Sequence, residues 1–143
     1  MRIIATLVVL VLVVMAYIRL APSKVARWHR ASDADDVGDY TEAGGFKAVR
    51  QINAPSDVVL SRLSDIARQT PRTQVLAGSE NANQITFITR SRIMGFPDYT
   101  TAVITDERLI VYGRLRFGRS DFGVNRQRVL AWLEQLGDLI EAP

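Results

Sequence analysis

Hydrophobicity changes period three times along this chain. From Ile3 to Ile18 no residue is charged and few are polar. A run with no polar face predicts a helix that is apolar all round, the pattern of a membrane span or a fully buried helix. As a helix it reaches roughly 24 Å at about 1.5 Å per residue, a little short of the roughly 30 Å hydrocarbon layer. Leu20 and Ala21 add length, and Arg19 can extend its charge to the interface. Tyr17 and Trp28 suit the aromatic belt at a membrane boundary. Residues 22–45 then lose all periodicity, and Pro, Gly and a switch from basic to acidic residues mark a linker.

From Phe46 onward the pattern is that of a folded domain. Phe46–Asn53 alternates and reads as a strand. Val59, Leu63 and Ile66 recur at helical spacing, with Pro55 and Ser56 opening the helix and Pro71 closing it. Thr73–Ser79, Gln84–Ile93, Tyr99–Thr105 and Leu109–Phe117 read as four further strands, divided by the turns ENAN, GFPD and DER. A last helix follows, with Ser120 or Asp121 as its N-cap and Val129, Trp132, Leu133 and Leu136 as its apolar stripe. The order strand, helix, four strands, helix predicts an α+β fold. It has a single N-terminal transmembrane helix, then an antiparallel sheet of about five strands with two helices packed on one face. The expected organisation is an anchor at 1–21, a linker at 22–45 and an α+β domain at 46–138.

A cleaved signal peptide is the rival reading of the first segment. It needs small residues before the cut. Val14-Met15-Ala16 is the only fair candidate and lies inside the apolar run, while Pro22 spoils a cut after Ala21. The expectation is therefore an uncleaved, single-pass helix that meets a membrane through residues 3–20. Arg19, Lys24, Arg27 and Arg30 follow the run and only Arg2 precedes it, so the positive-inside rule places the domain on the cytoplasmic side.

Charge and composition narrow the chemistry. The net charge is +3 and the pI about 9.7, which favours anionic neighbours such as phospholipid headgroups. There is no cysteine, so disulfides, thiol catalysis and cysteine zinc sites are excluded. His29 is the only histidine, and as a residue beside Trp28 it is expected at the interface. Asp33, Asp35 and Gly38 fit three positions of a calcium loop, but Val37 stands where an oxygen ligand belongs and Gly44 where the closing Glu belongs. The acidic run therefore reads as solvated charge, and no metal or cofactor is expected. Walker, dinucleotide and HExxH motifs are absent. Nucleic acid is an unlikely partner, because aromatic residues are not interleaved with the basic ones.

One phrase occurs twice. Arg90-Ser-Arg92 and Arg114-Leu-Arg116 are each followed by an apolar residue, Gly, two residues, Asp and an aromatic ring, once Met94 is skipped. In a meander the third and fifth strands run the same way, so both arginine pairs fall at one end of the sheet. Alternation puts Leu109, Val111, Leu115 and Phe117 on one face of the fifth strand and Arg114 and Arg116 on the other. On the third, Ile85, Phe87 and Ile93 oppose Arg90 and Arg92. The pairs should stand roughly 10 Å apart, two strand spacings, with Asp98 and Asp121 beside them.

Two roles suit such a cluster. One is an ion-pair network closing the sheet end. The other is an anion site of Arg90, Arg92, Arg114, Arg116, Arg119, Asp98, Asp121, Asn125 and Arg126, in which arginine forks hold phosphate or carboxylate and the last helix adds its positive end. Its ligand would be an anionic lipid, a small anion or a partner protein. No catalytic residue is assigned. The alternative is a small hydrolase using Asp98, Asp121 and the arginines, although arginine neighbours should lower both carboxyl pKa values and suit neither acid nor base.

TRSRIMGFPDY, RFGRSDFGVNRQRV and RLAPSKVARWH together resemble the bacterial domain-of-unknown-function family numbered 1499, with SDFGVNRxRV the most specific part. The likeness extends to PSDVVLSRL and to Pro71–Thr73, and so covers nearly the whole chain. The resemblance implies a small membrane-associated or envelope domain, and it attaches no activity to it.

Overall fold

The structure, a computed structural model, describes residues 1–33 and 35–142. Helix α1 (Arg2–Leu20) is followed by a one-turn helix α2 (Val25–Trp28) and the strands β1 (Gly38–Glu42) and β2 (Gly45–Gln51). Helix α3 (Ser56–Gln69), β3 (Thr73–Ser79), β4 (Gln84–Arg90), β5 (Pro97–Thr105), β6 (Arg108–Leu115) and α4 (Val124–Glu134) complete the chain. All strand pairs are antiparallel, in the order β1-β2-β6-β5-β4-β3. Helix α3 carries the chain from β2 to the far edge at β3, and the meander then returns strand by strand until β6 lies against β2. The fold is α+β, with α3 and α4 packed on the same face of the sheet.

The expectation of about five strands is corrected to six. The extra strand, Gly38–Glu42, lies in the segment read as linker. It has no apolar alternation, so hydrophobic pattern could not reveal it. Its backbone pairs with β2 from Gly38 opposite Val49 to Glu42 opposite Gly45. The third strand also ends earlier than expected, at Arg90. Ile93 lies beyond it and is 75% exposed instead of facing the core.

The face under the helices holds the main core. Val59, Leu60, Leu63, Ile66 and Ala67 of α3 and Val129, Trp132 and Leu133 of α4 meet Phe46, Ala48, Ile85, Phe87 and Val111 from the strands. Trp132 stands edge-on to Phe87 with ring centres 5.5 Å apart, and its indole N–H donates to Thr70 Oγ1 at 2.9 Å. The expected stripe on the last helix is therefore the core stripe. Helix α1 is 19 residues long, apolar and largely exposed, with only Ile18 buried. By length and composition it is able to cross a membrane.

Candidate functional site

The second face of the sheet carries Tyr99, Thr101, Tyr112 and Arg114 in register with Ile88 and Thr86, and it is not left open. Residues 21–29 cross it as a strap. Trp28 stacks on Tyr99 with centroids 4.0 Å apart and planes 12° from parallel, so it is buried instead of sitting in an exposed aromatic belt. His29 Nδ1 lies 2.9 Å from Thr86 Oγ1, and Ser23 Oγ lies 2.7 Å from the Tyr99 hydroxyl. Arg114 donates to the carbonyl of Trp28, and Thr101 donates to the same oxygen at 3.3 Å. Arg116 donates to the carbonyls of Ala21 at 3.3 Å and Pro22 at 3.2 Å. Burial lowers the Arg114 pKa, and neighbouring Arg30 adds to that. It also pushes Tyr112, whose hydroxyl donates to Glu42, up to about 12. The acidic run is likewise engaged: Asp35 pairs with Lys47, and Asp39 with Arg50 at 2.7 Å.

The four arginines of the repeated phrase do share one end of the sheet, because β4 and β6 both run opposite to β5. They do not form one cluster with the aspartates. Asp98 precedes Tyr99 on β5 and so faces the helices, where it meets Arg128 at 3.4 Å and the Asn125 amide at 3.4 Å. The N-cap of α4 is Gly123 and not Ser120 or Asp121 as expected, and Asp121 instead accepts backbone N–H bonds from Asn125 at 2.8 Å and Gly123 at 3.1 Å from two residues before it. The expectation of two depressed carboxyl pKa values holds for one of them. Burial raises the Asp98 pKa beyond what Arg128 offsets. Burial pulls Asp121 the same way, but the amide bonds from Asn125 and Gly123 hold it below its ordinary value. Asn125 itself is buried and accepts from Arg128 at 2.8 Å. Arg119 and Arg126 line a small recess with Asp121 and residues 41–46, which the other predicted arginines do not line.

A different set of arginines does converge. Arg19, Arg72, Arg90 and Arg92 line an open cleft of about 510 Å³, together with Thr73, Gln74, Ser91 and Gly95. Arg72 is brought there by the pairing of β3 with β4, since Thr73 lies opposite Thr89. Its Nε donates to the Arg90 carbonyl at 3.0 Å. Arg90 reaches the Gly95 carbonyl at 3.1 Å, and Arg19, in the last turn of α1, reaches the Ile93 carbonyl at 2.8 Å. Gly95 has φ +74°, which favours glycine, and a Cβ there would lie 2.9 Å from Arg19 Cγ, so a side chain would push the Arg19 side chain aside. Among the described residues none of the four arginines is paired with a carboxylate.

The repeated phrase marked Arg90 and Arg92, whereas nothing in it marked Arg19 and Arg72, which line the same cleft. Placing Thr73 opposite Thr89 in the meander would have found Arg72, but no local signal tied Arg19 to the sheet. Among the described residues no group of three or more His, Cys, Asp and Glu side chains could hold a metal ion. Residues 22–136 match the model of a family described as a protein of unknown function, DUF1499. No curated protein matches the chain.

Proposed function

The chain belongs to the DUF1499 family, and we propose that it is a membrane-anchored, non-catalytic domain that binds an anionic group between Arg19, Arg72, Arg90 and Arg92. The observation that carries this reading is the uncompensated cleft itself. Four arginines line one open recess, and among the described residues no carboxylate lines it. Such an arrangement is destabilised by like-charge repulsion unless an anion enters, and guanidinium forks hold phosphate or carboxylate oxygens in pairs. Arg19 ends the apolar helix, so the recess lies where a spanning helix would meet the headgroups. The basic excess at Arg19, Lys24, Arg27 and Arg30 favours the cytoplasmic leaflet, which is the more anionic surface.

The aspartates do not favour the hydrolytic alternative. Both oxygens of Asp121 accept backbone amides, and Asp98 is turned toward Arg128 and Asn125 under α4. The test uses the full chain in neutral detergent, with thermal unfolding as the readout. Short-chain phosphatidylglycerol should raise the Tm, since a ligand at about 100 times its Kd stabilises by about 2.7 kcal/mol. Short-chain phosphatidylcholine should not. The double variant Arg72→Gln/Arg92→Gln should lose the response, while Arg68→Gln on α3 keeps it. An equal shift in the double variant would overturn the cleft as the site. If inorganic phosphate reproduces the whole shift, the ligand is a free anion and not a lipid.

A further inference from the structure

Two loops at the α1 end of the sheet expose apolar side chains with nothing packed over them. The β4–β5 loop presents Ile93 at 75% exposure, and the β6–α4 loop presents Phe122 at 92%, with Val124 at 47% beside it. Phe122 also holds a left-handed backbone conformation, φ 53°, two residues before α4 begins. Both loops are tied to the end of α1. Arg19 binds the Ile93 carbonyl, and Arg116 binds the carbonyls of Ala21 and Pro22. The loops also touch each other, with the Phe96 and Phe117 rings 6.1 Å apart.

The geometry points to these loops as a membrane-inserting rim, in which Ile93 and Phe122 enter the same bilayer that α1 crosses. This rests on reading α1 as a membrane span. The occupant follows from position and charge. The apolar run ends at Leu20 and Ala21, where Arg19 and Arg116 tie it to the two loops, so a bilayer around α1 has its interface beside them. Exposed Arg92 and Arg119 flank the two apolar tips, the pairing of apolar wedge and cationic rim that suits an acyl–headgroup boundary. The nearby carboxylates do not oppose it, because Asp98 and Asp121 are engaged with α4. A water-exposed phenylalanine at a loop tip has no stabilising partner within the domain, whereas the interface supplies one.

The absence of native cysteine makes the test direct. Single variants Ile93→Cys, Phe122→Cys, Leu10→Cys and Glu107→Cys of the full chain are labelled with an environment-sensitive fluorophore. Each is reconstituted into vesicles of phosphatidylcholine and phosphatidylglycerol, with and without spin-labelled lipid. Leu10 lies within α1, and Glu107 lies in the β5–β6 turn at the far end of the sheet. The expected result is a blue-shifted emission at Ile93 and Phe122 that loses most of its intensity to a shallow quencher. Leu10 should respond to a deep quencher and Glu107 to neither. Quenching at Leu10 with Ile93 and Phe122 behaving like Glu107 would overturn the rim and leave the span intact. No quenching at Leu10 would overturn both.

Discussion

Helices α3 and α4 cover one face of the sheet with side chains, while residues 21–29 cover the other largely through their backbone. Under the helices, Trp132, Leu63, Phe87 and Val111 are buried against one another, and stability there scales with apolar area. Under the strap, Arg114, Thr101 and Arg116 donate to the carbonyls of Trp28, Ala21 and Pro22, and one aromatic stack, Trp28 on Tyr99, adds the apolar part. The first cover is redundant, because many contacts share the load. The second hangs on a few donors to partly buried carbonyls, two of which, Arg114 and Thr101, share the Trp28 oxygen. The two halves of the repeated phrase accordingly do different things. The second pair of arginines holds the strap, while the first pair opens toward the cleft.

The largest expected effect comes from the helix face. Trp132→Ala removes a nearly fully buried indole and should destabilise the full chain by about 3–5 kcal/mol. A circular-dichroism melt that does not move would break the account of that face. On the strap face, Arg114→Met keeps the apolar stem and leaves the Trp28 carbonyl with Thr101 as its remaining donor, for a loss of about 1 kcal/mol. The sharper readout is local. Trypsin should cut at Lys24, Arg27 or Arg30 faster in this variant at temperatures well below the melt. Unchanged cleavage would mean that the strap is not held by the arginine.

Tyr99→Phe should do less. It keeps the stack on Trp28 and removes a hydroxyl that meets Ser23 at 2.7 Å and Arg116 at 3.2 Å, costing about 1 kcal/mol. Faster tryptic cleavage with a slightly lower Tm is the expected pair of results.

The smallest effects are those of pH on the helix side. The Asp121 pKa is lowered on folding, so its contribution is present above the unfolded value and is lost as pH falls through the lower folded one. Asp121→Asn keeps an accepting oxygen and removes the charge at the α4 N-terminus, a loss of about 0.5 kcal/mol at neutral pH. That difference should vanish in acid. Asp98 has the opposite sign. Its pKa is raised, so stability falls as pH climbs from the unfolded value of 3.8 through the folded one. Chemical denaturation across that range should show a falling limb that Asp98→Asn removes. A limb retained in the variant would assign it to another group.

Much of the helix face is legible in the sequence. Val59, Leu63 and Ile66 and then Val129, Trp132 and Leu133 repeat at helical spacing, and the buried strand residues on that side alternate. The meander was legible from its short turns, and with it the shared direction of β4 and β6. The candidate site was legible in part. Arg90 and Arg92 were marked by the repeated phrase, but the phrase also drew in Asp98 and Asp121, which alternation on β5 and the first turn of α4 turn to the opposite face. Strand β1 escaped notice because Gly38–Glu42 is an edge strand held by backbone pairing, with charged residues at Asp39 and Glu42.

By itself the sequence determined that this protein has an apolar helix followed by an α+β domain, since hydrophobic spacing records which side of each element must leave water. Only the tertiary structure decided what the second face of the sheet meets and which arginines converge. A guanidinium that binds a carbonyl can choose any residue's carbonyl, because every peptide unit carries the same acceptor. Ala21, Pro22 and Trp28 are therefore unmarked as partners of Arg114 and Arg116. Likewise Arg19 and Arg72 are distant in sequence from Arg90 and meet it only because β3 closes the sheet beside β4 and α1 ends against Gly95.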